Sequence, residues 1–208
     1  MTITVVLIAL SVITSIAAFQ NQELKAKLMF NASLVKHSNQ WYRIFTHAFI
    51  HSDWMHLGVN MYVLWMFGET VEYYMEDYRG GLGTFYFLSL YVGGILCSSL
   101  PAFIKHQDNF NYNSLGASGA VSSVLFAYIF FQPMQELSLL IIPFIGLPAI
   151  LFGVAYLFFE WYMDKKSNDN IAHDAHFWGA AFGLVFALAM FPAHLPIFID
   201  EILIAILG

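Results

Sequence analysis

The chain has 208 residues, 59% of them hydrophobic and only 11% charged, with a mean hydropathy of +0.66. Soluble domains carry about 25% charged residues, so this composition excludes an ordinary soluble globule. The net charge of −6, without any basic tract, excludes nucleic acid as a partner, and the single cysteine, Cys97, excludes an intrachain disulfide.

The charges are clustered, leaving 1–22, 80–104, 109–135, 137–159 and 175–199 with none. A helix that crosses a bilayer needs about 20 mainly apolar residues. The expected architecture is therefore an all-α polytopic membrane protein. Six transmembrane helices are predicted over 2–19, 54–74, 80–104, 116–131, 137–162 and 172–191, in one membrane domain covering 1–208. The first stretch has no basic n-region and no Ala-x-Ala site, and reads as a retained span rather than a cleaved signal peptide. The connection 20–52 is long and holds Phe30, Trp41, Tyr42 and Phe45, so it is expected to lie partly in the membrane interface.

The second span opens with His56 and Asn60, four residues apart and hence on one helix face. The fourth, from Gly116, is short. Its sixteen residues extend roughly 24 Å, against a hydrocarbon core of roughly 30 Å. Ser118 at its start should then sit below the membrane surface, beside a watered cavity that the preceding polar link lines. Pro143 and Pro148 are expected to kink the fifth span. The sixth begins near His176, with Gly179 and Gly183 on the same face, a stripe that permits close helix packing. Residues 197–208 are apolar but too short to cross, and should lie at the interface or against the bundle.

Ionisable and strongly polar groups inside spans suggest function. The second, fourth and sixth spans run in one direction, and His56, Ser118 and His176 all lie near their starts, at one depth. Serine beside histidine is the minimum for nucleophilic catalysis, because imidazole can accept the hydroxyl proton near neutral pH. The Asn60 amide, the His56 ring N–H and the Ser118 backbone N–H are suitable donors to an oxyanion. Asp174 is too close to His176 in sequence to be assigned as its orienting acid. Gly116, Gly119, Gly179 and Gly183 read as helix-packing residues.

Three segments, His51-Ser-Asp-Trp-Met-His56-Leu-Gly-Val-Asn60, Gly116-Ala-Ser118-Gly119 and Ala175-His176-Phe-Trp-Gly179-Ala-Ala-Phe-Gly183, resemble the rhomboid family of intramembrane serine proteases, in the right order. The resemblance covers nearly the whole chain and suggests a minimal six-span bacterial member. It implies a Ser118–His176 dyad, His56 and Asn60 in an oxyanion hole, no cofactor, and single-span membrane proteins as substrates. It also implies an embedded first loop over 20–52 and a bacterial plasma-membrane location, and Glu72, after Gly68, matches a glutamate the family often places near the end of this helix. Two departures stand out. Tyr42-Arg43 replaces the family's Trp-Arg, and Ser122 stands where many members carry a tyrosine packed on the histidine. Trp178 and Tyr162 are the candidates to take that tyrosine's place. The family orientation puts the site outside, whereas counting Lys and Arg by the positive-inside rule points the other way.

Three other functions fit parts of the pattern. A zinc-dependent membrane hydrolase would draw ligands from His47, His51, His56, His173, His176, Asp53 and Asp174. A non-catalytic client binder of rhomboid type would typically lack the serine or the histidine. A transporter would need paired broken helices in matching halves, which the sequence does not offer.

Overall fold

The computed structural model describes residues 2–139, 142–166 and 171–207. It is mostly helical. Helix α1 (Ile3–Gln20) is followed by three short helices, α2 (Gln22–Leu28), α3 (Ala32–Ser38) and α4 (Arg43–Thr46), then by α5 (Trp54–Arg79) and α6 (Gly83–His106). The short α7 (Ser118–Phe131) leads to a hairpin of β1 (Glu136–Leu139) and β2 (Ile142–Pro148). After it come α8 (Ala149–Lys166), α9 (His173–Met190) and α10 (Leu195–Leu207). Residues 167–170 of the polar loop ahead of the sixth segment lie outside the described residues.

By length and hydropathy, Ile3–Gln20 and the helical run Trp54–His106 can cross a bilayer. That run folds back at Gly80, where φ is +56, so that α5 and α6 pack on each other. The outward faces are apolar, with Ile13, Met55, Phe85, Val154 and Val185 all exposed. Such surfaces are stable only against lipid. Helix α10 turns away from α9 by 88° and carries Ile204, Ile206 and Leu207 on its exposed side, as expected of a segment too short to cross.

At the centre stands α7. Every residue from Gly119 to Phe131 is buried, which explains its uncharged, largely apolar sequence without a helical period. Helices α5, α6 and α9 surround it, and α1 packs on α5. The α1 contact is built from Gly68, where a Cβ would come within 2.7 Å of the Thr4 side chain. Glu72 then accepts the Ile3 and Thr4 N–H groups at 2.8 and 3.1 Å, capping α1 at its positive end.

The fifth segment differs from expectation. No helix runs from 137; Glu136–Leu139 pairs antiparallel with Ile142–Pro148, and α8 begins only at Ala149. Pro143 and Pro148 with Gly146 do more than kink a helix over that stretch. Pro lacks the donor a helix interior needs, and both prolines are tolerated in a two-stranded ribbon with free edges. The first N–H groups of α8 are then met by the turn before the hairpin, Ala149 donating to Gln135 and Ile150 to Pro133 at 2.9 and 2.8 Å.

Candidate functional site

Ser118 is the first residue of α7, and no side chain caps that helix end. Its N–H and those of the next two residues belong to the first turn, which lacks intrahelical acceptors. The chain reaches this point through Gly116, whose φ of +124 disfavours any residue with a Cβ. A Cβ there would also lie 2.6 Å from His56 Cε1 and 2.9 Å from Nε2. Gly116 is thus no helix-packing residue. It is the point at which the His56 ring lies on the backbone just ahead of Ser118.

Two buried histidines fasten this approach. The His47 carbonyl accepts the Gly116 N–H at 2.9 Å, and its Nε2 lies 3.0 Å from Ser99 Oγ on α6. His51 Nε2 accepts the Ala117 N–H at 3.4 Å, while its Nδ1 meets Ser15 Oγ on α1 at 2.9 Å. Burial pushes His47 down to about 4; burial, with His56 nearby, pushes His51 down to about 3. Both serve as neutral braces, not as converging metal ligands. Farther out, Phe30 and Ser114 exchange backbone hydrogen bonds at 2.9 and 3.1 Å. Asn31 donates to the Phe110 and Tyr112 carbonyls, and Arg43 donates to the Ala26 and Met29 carbonyls at 2.7 Å each. The first loop is thereby a folded brace for the serine loop.

Helix α5 begins at Asp53, whose carboxylate accepts the His56 N–H at 2.9 Å as an N-cap. Ser52 Oγ lies 3.0 Å and the Ser52 nitrogen 3.5 Å from His56 Nδ1, so the ring is held with Cε1 and Nε2 against Gly116. Asn60 spends one amide hydrogen on the His56 carbonyl (2.9 Å), holding its side chain against the same turn. His47, Ser99 and Ser118, with Ala102, Leu115 and Ala172, help to line a cavity of ≈ 30 Å³ at the serine. That volume is enough for a water molecule.

Helix α9 closes on α7 through glycines. A Cβ at Gly179 would overlap the Gly119 carbonyl oxygen, and one at Gly183 the Ser123 carbonyl oxygen. Gly119 is equally constrained by the Ser98 side chain on α6. Helix axes approach this closely only where side chains are missing. His176, one turn before Gly179 and 17% exposed, is therefore carried to the serine end of α7, close enough to His56 to interact electrostatically.

The orientation of His176 comes from a residue the sequence reading did not single out. Glu160 on α8 is buried, with Oε1 3.1 Å from His176 Nδ1 and Oε2 2.5 Å from His173 Nδ1. On the same face of α8, the Tyr156 hydroxyl meets Ser122 Oγ at 2.8 Å. Trp178 and Tyr162 are exposed and do not fill the family tyrosine's place; Tyr156 reaches Ser122 from the neighbouring helix instead. The signal for Glu160 was available, as an acid beside the uncharged stretch 137–159. Starting the helix at 137 put that acid at a span's end, where a charge is unremarkable; with α8 at Ala149–Lys166 it lies well inside.

The potential ligand atoms of Glu160, His173 and His176 lie within 4.8 Å of one another, a set that invites the question of a metal. Ligands from different side chains on tetrahedral zinc, at about 2.0–2.1 Å from the ion, stand about 3.3 Å apart. The 2.5 Å His173–Glu160 contact is shorter than that and is a hydrogen bond, so these residues do not fit a zinc cage as they stand.

A polytopic helical membrane protein with a buried central helix carrying a serine at its open end is thereby defined. A family model, Rhomboid domain, matches residues 38–193, and the chain belongs to the rhomboid family. It is 30% identical over 159 residues to RHOMBOID-like protein 12, mitochondrial, of Arabidopsis thaliana, covering 69% of this chain and 45% of that protein. It is 31% identical over 146 residues to Presenilin-associated rhomboid-like protein A, mitochondrial, of Danio rerio, covering 66% and 34%. Rhomboid protein 1, mitochondrial, of Saccharomyces cerevisiae is 27% identical over 150 residues, covering 67% and 39%. The chain spans less than half the length of these curated relatives.

Proposed function

We propose that this protein is an intramembrane serine endopeptidase that cleaves transmembrane substrates. The observation that carries the reading is Ser118 at the uncapped start of buried α7, with α9 pressed onto that turn at Gly119–Gly179 so that His176 lies at the same end. In this reaction His176 Nε2 takes the Ser118 proton as Oγ attacks the scissile carbonyl carbon. The resulting oxyanion is met by the Ser118 N–H, the His56 ring N–H and the remaining Asn60 amide hydrogen. His176 then protonates the leaving amine, giving an acyl-enzyme, and later activates the water that releases it. No cofactor enters.

A transmembrane substrate hides its carbonyls in helical hydrogen bonds, so it must unwind locally before Ser118 can reach one. Single-span proteins with small, helix-breaking residues near a membrane surface are the substrates that this requirement favours. The relatives' names place those proteins in mitochondria, which counts against the bacterial plasma membrane expected from sequence. The chemistry needs a bilayer and does not depend on which one.

The test is cleavage of a single-span substrate, together with labelling by a fluorophosphonate probe, in detergent and liposomes. Wild type should cleave and label; Ser118→Ala should do neither, and His176→Ala should fall to background. Equal labelling of wild type and Ser118→Ala would remove Ser118 as nucleophile. Client binding without cleavage would favour the non-catalytic reading, and activity lost to a chelator and restored by zinc would favour the metal one.

A further inference from the structure

Among the described residues two acids are buried: Glu72 caps α1 away from the reaction, and Glu160, beside His176, has no task in the reaction proposed above. A carboxylate inside an apolar helix is strongly unfavourable unless it is paired. Glu160 is paired twice, to His176 at 3.1 Å and to His173 at 2.5 Å, both through Nδ1. We infer that Glu160 is the positioning residue of a Ser118–His176–Glu160 triad, and that His173 holds the carboxylate in place through its second oxygen. This rests on the serine-hydrolase reading above and adds to it a third member.

The argument is one of donors and acceptors. An ionised carboxylate only accepts, so each imidazole facing it must present N–H from Nδ1. That fixes His176 as the tautomer whose Nε2 carries a lone pair, the form a general base requires. When Nε2 gains the serine proton, the imidazolium forms in a low-dielectric site beside a fixed negative charge that stabilises it. Glu160 touches the reacting atoms only through His176.

Placement by two helices makes the contact exact in register. His173 and His176, three residues apart, share the face of α9 that meets α8. On α8, Tyr156 and Glu160 are four apart and face the site together. Tyr156 registers against Ser122 of α7 and lies beside Glu160. The helix carrying the acid is thus fixed against both the helix of the serine and the helix of the base.

The experiment compares Glu160→Gln, Glu160→Asp and His173→Gln with wild type and Ser118→Ala. The readouts are kcat and KM for a single-span substrate, the fluorophosphonate inactivation rate, thermal stability, and imidazole N–H resonances in 15N-histidine-labelled protein. Glutamine keeps the shape but can donate to Nδ1 and hold His176 in the wrong tautomer. Its kcat and inactivation rate should fall about 10²- to 10⁴-fold with KM little changed, the size of loss seen when a triad acid is made an amide. The Nδ1–H resonance of His176 should be lost with it. Aspartate, one methylene shorter but still an acceptor, should recover a substantial part of the rate, and His173→Gln should lose less than Glu160→Gln. A folded Glu160→Gln with wild-type kcat, while Ser118→Ala is dead, overturns the triad and leaves the hydrolase. A wild type that neither cleaves nor labels removes the hydrolase reading itself. Chelator-sensitive activity overturns the triad in favour of a metal. If Glu160→Gln does not fold, a folded Glu160→Asp no better than background, with the Nδ1–H resonance still present, also overturns it.

Discussion

Gly179 is where a single missing side chain decides the site. Its position against the Gly119 carbonyl means that even a methyl group must push α9 away from α7, moving His176 from the serine turn. Overpacking of this kind costs about 1–3 kcal/mol, and about 1 Å of misplacement can cost on the order of 10²-fold in rate. Gly179→Ala should therefore lower both thermal stability and kcat, the latter by about 10²-fold. Gly183→Ala makes an equal clash one turn farther from His176, against Ser123, and should lower stability similarly but kcat less. Equal kcat losses in the two variants would show that the glycines act only through stability. The glycine stripe was legible because spacing of three and four residues needs no tertiary knowledge. Glu160 was not: its meaning depends on where α8 begins, and a loop-end charge and a buried triad acid look alike until that boundary is set. Gly116 was misread for the same reason, since the helix begins two residues later and a positive φ leaves no mark in sequence beyond the glycine itself.

Among elements, the first loop and the serine loop fold as one unit, and the two buried histidines that join them give it a pH dependence. His47 and His51 have ordinary values of 6.5 and are pushed to about 4 and about 3. A base depressed on folding binds fewer protons in the native state than in the unfolded one. Stability is therefore full above pH 6.5 and declines as pH falls from 6.5 towards 4 for His47 and towards 3 for His51, by up to about 1.4 kcal/mol per pH unit for each. Thermal melting between pH 7.5 and 4.5 should show the midpoint falling with acid. The double variant His47→Gln, His51→Gln should start lower and fall less steeply; parallel slopes would mean that neither histidine titrates in this window. The loop's length and aromatic content made a folded segment legible. Its bracing role was not, because Phe30–Ser114 and His51–Ala117 pair residues over sixty positions apart. The hairpin over 136–148 went unread because apolar Leu-Ile-Pro sequence suits a buried helix as well as a ribbon, and only the clustered prolines argue otherwise.

For the molecule as a whole, the distribution of charge bears on how it lies in the bilayer. The helix ends at the site carry Lys105, Lys165 and Lys166, the first loop adds Lys25, Lys27, Lys36 and Arg43, and Arg79 stands at the opposite end among Glu69, Glu76 and Asp77. Counted plainly, this places the site on the side that retains positive loops. Yet four of these cations are consumed within the loop fold. Arg43 is buried on backbone carbonyls, Lys36 pairs with Asp108 at 2.9 Å, Lys27 with Glu23 at 2.7 Å, and Lys25 donates to the Ser52 carbonyl. The rule works on short flexible flanks, and a folded loop with its cations held in hydrogen bonds and ion pairs is not one. The expected arrangement keeps the site on the outer face and Arg79 inside. With Cys97 replaced by serine, Ser38→Cys and Asp77→Cys offer single exposed thiols at the two ends. In sealed membrane vesicles of known sidedness, a membrane-impermeant maleimide on the outer face should label position 38 and spare position 77 until the vesicles are opened. The reverse pattern would show that the plain charge count governs this chain, with substrates approaching Ser118 from the inner face.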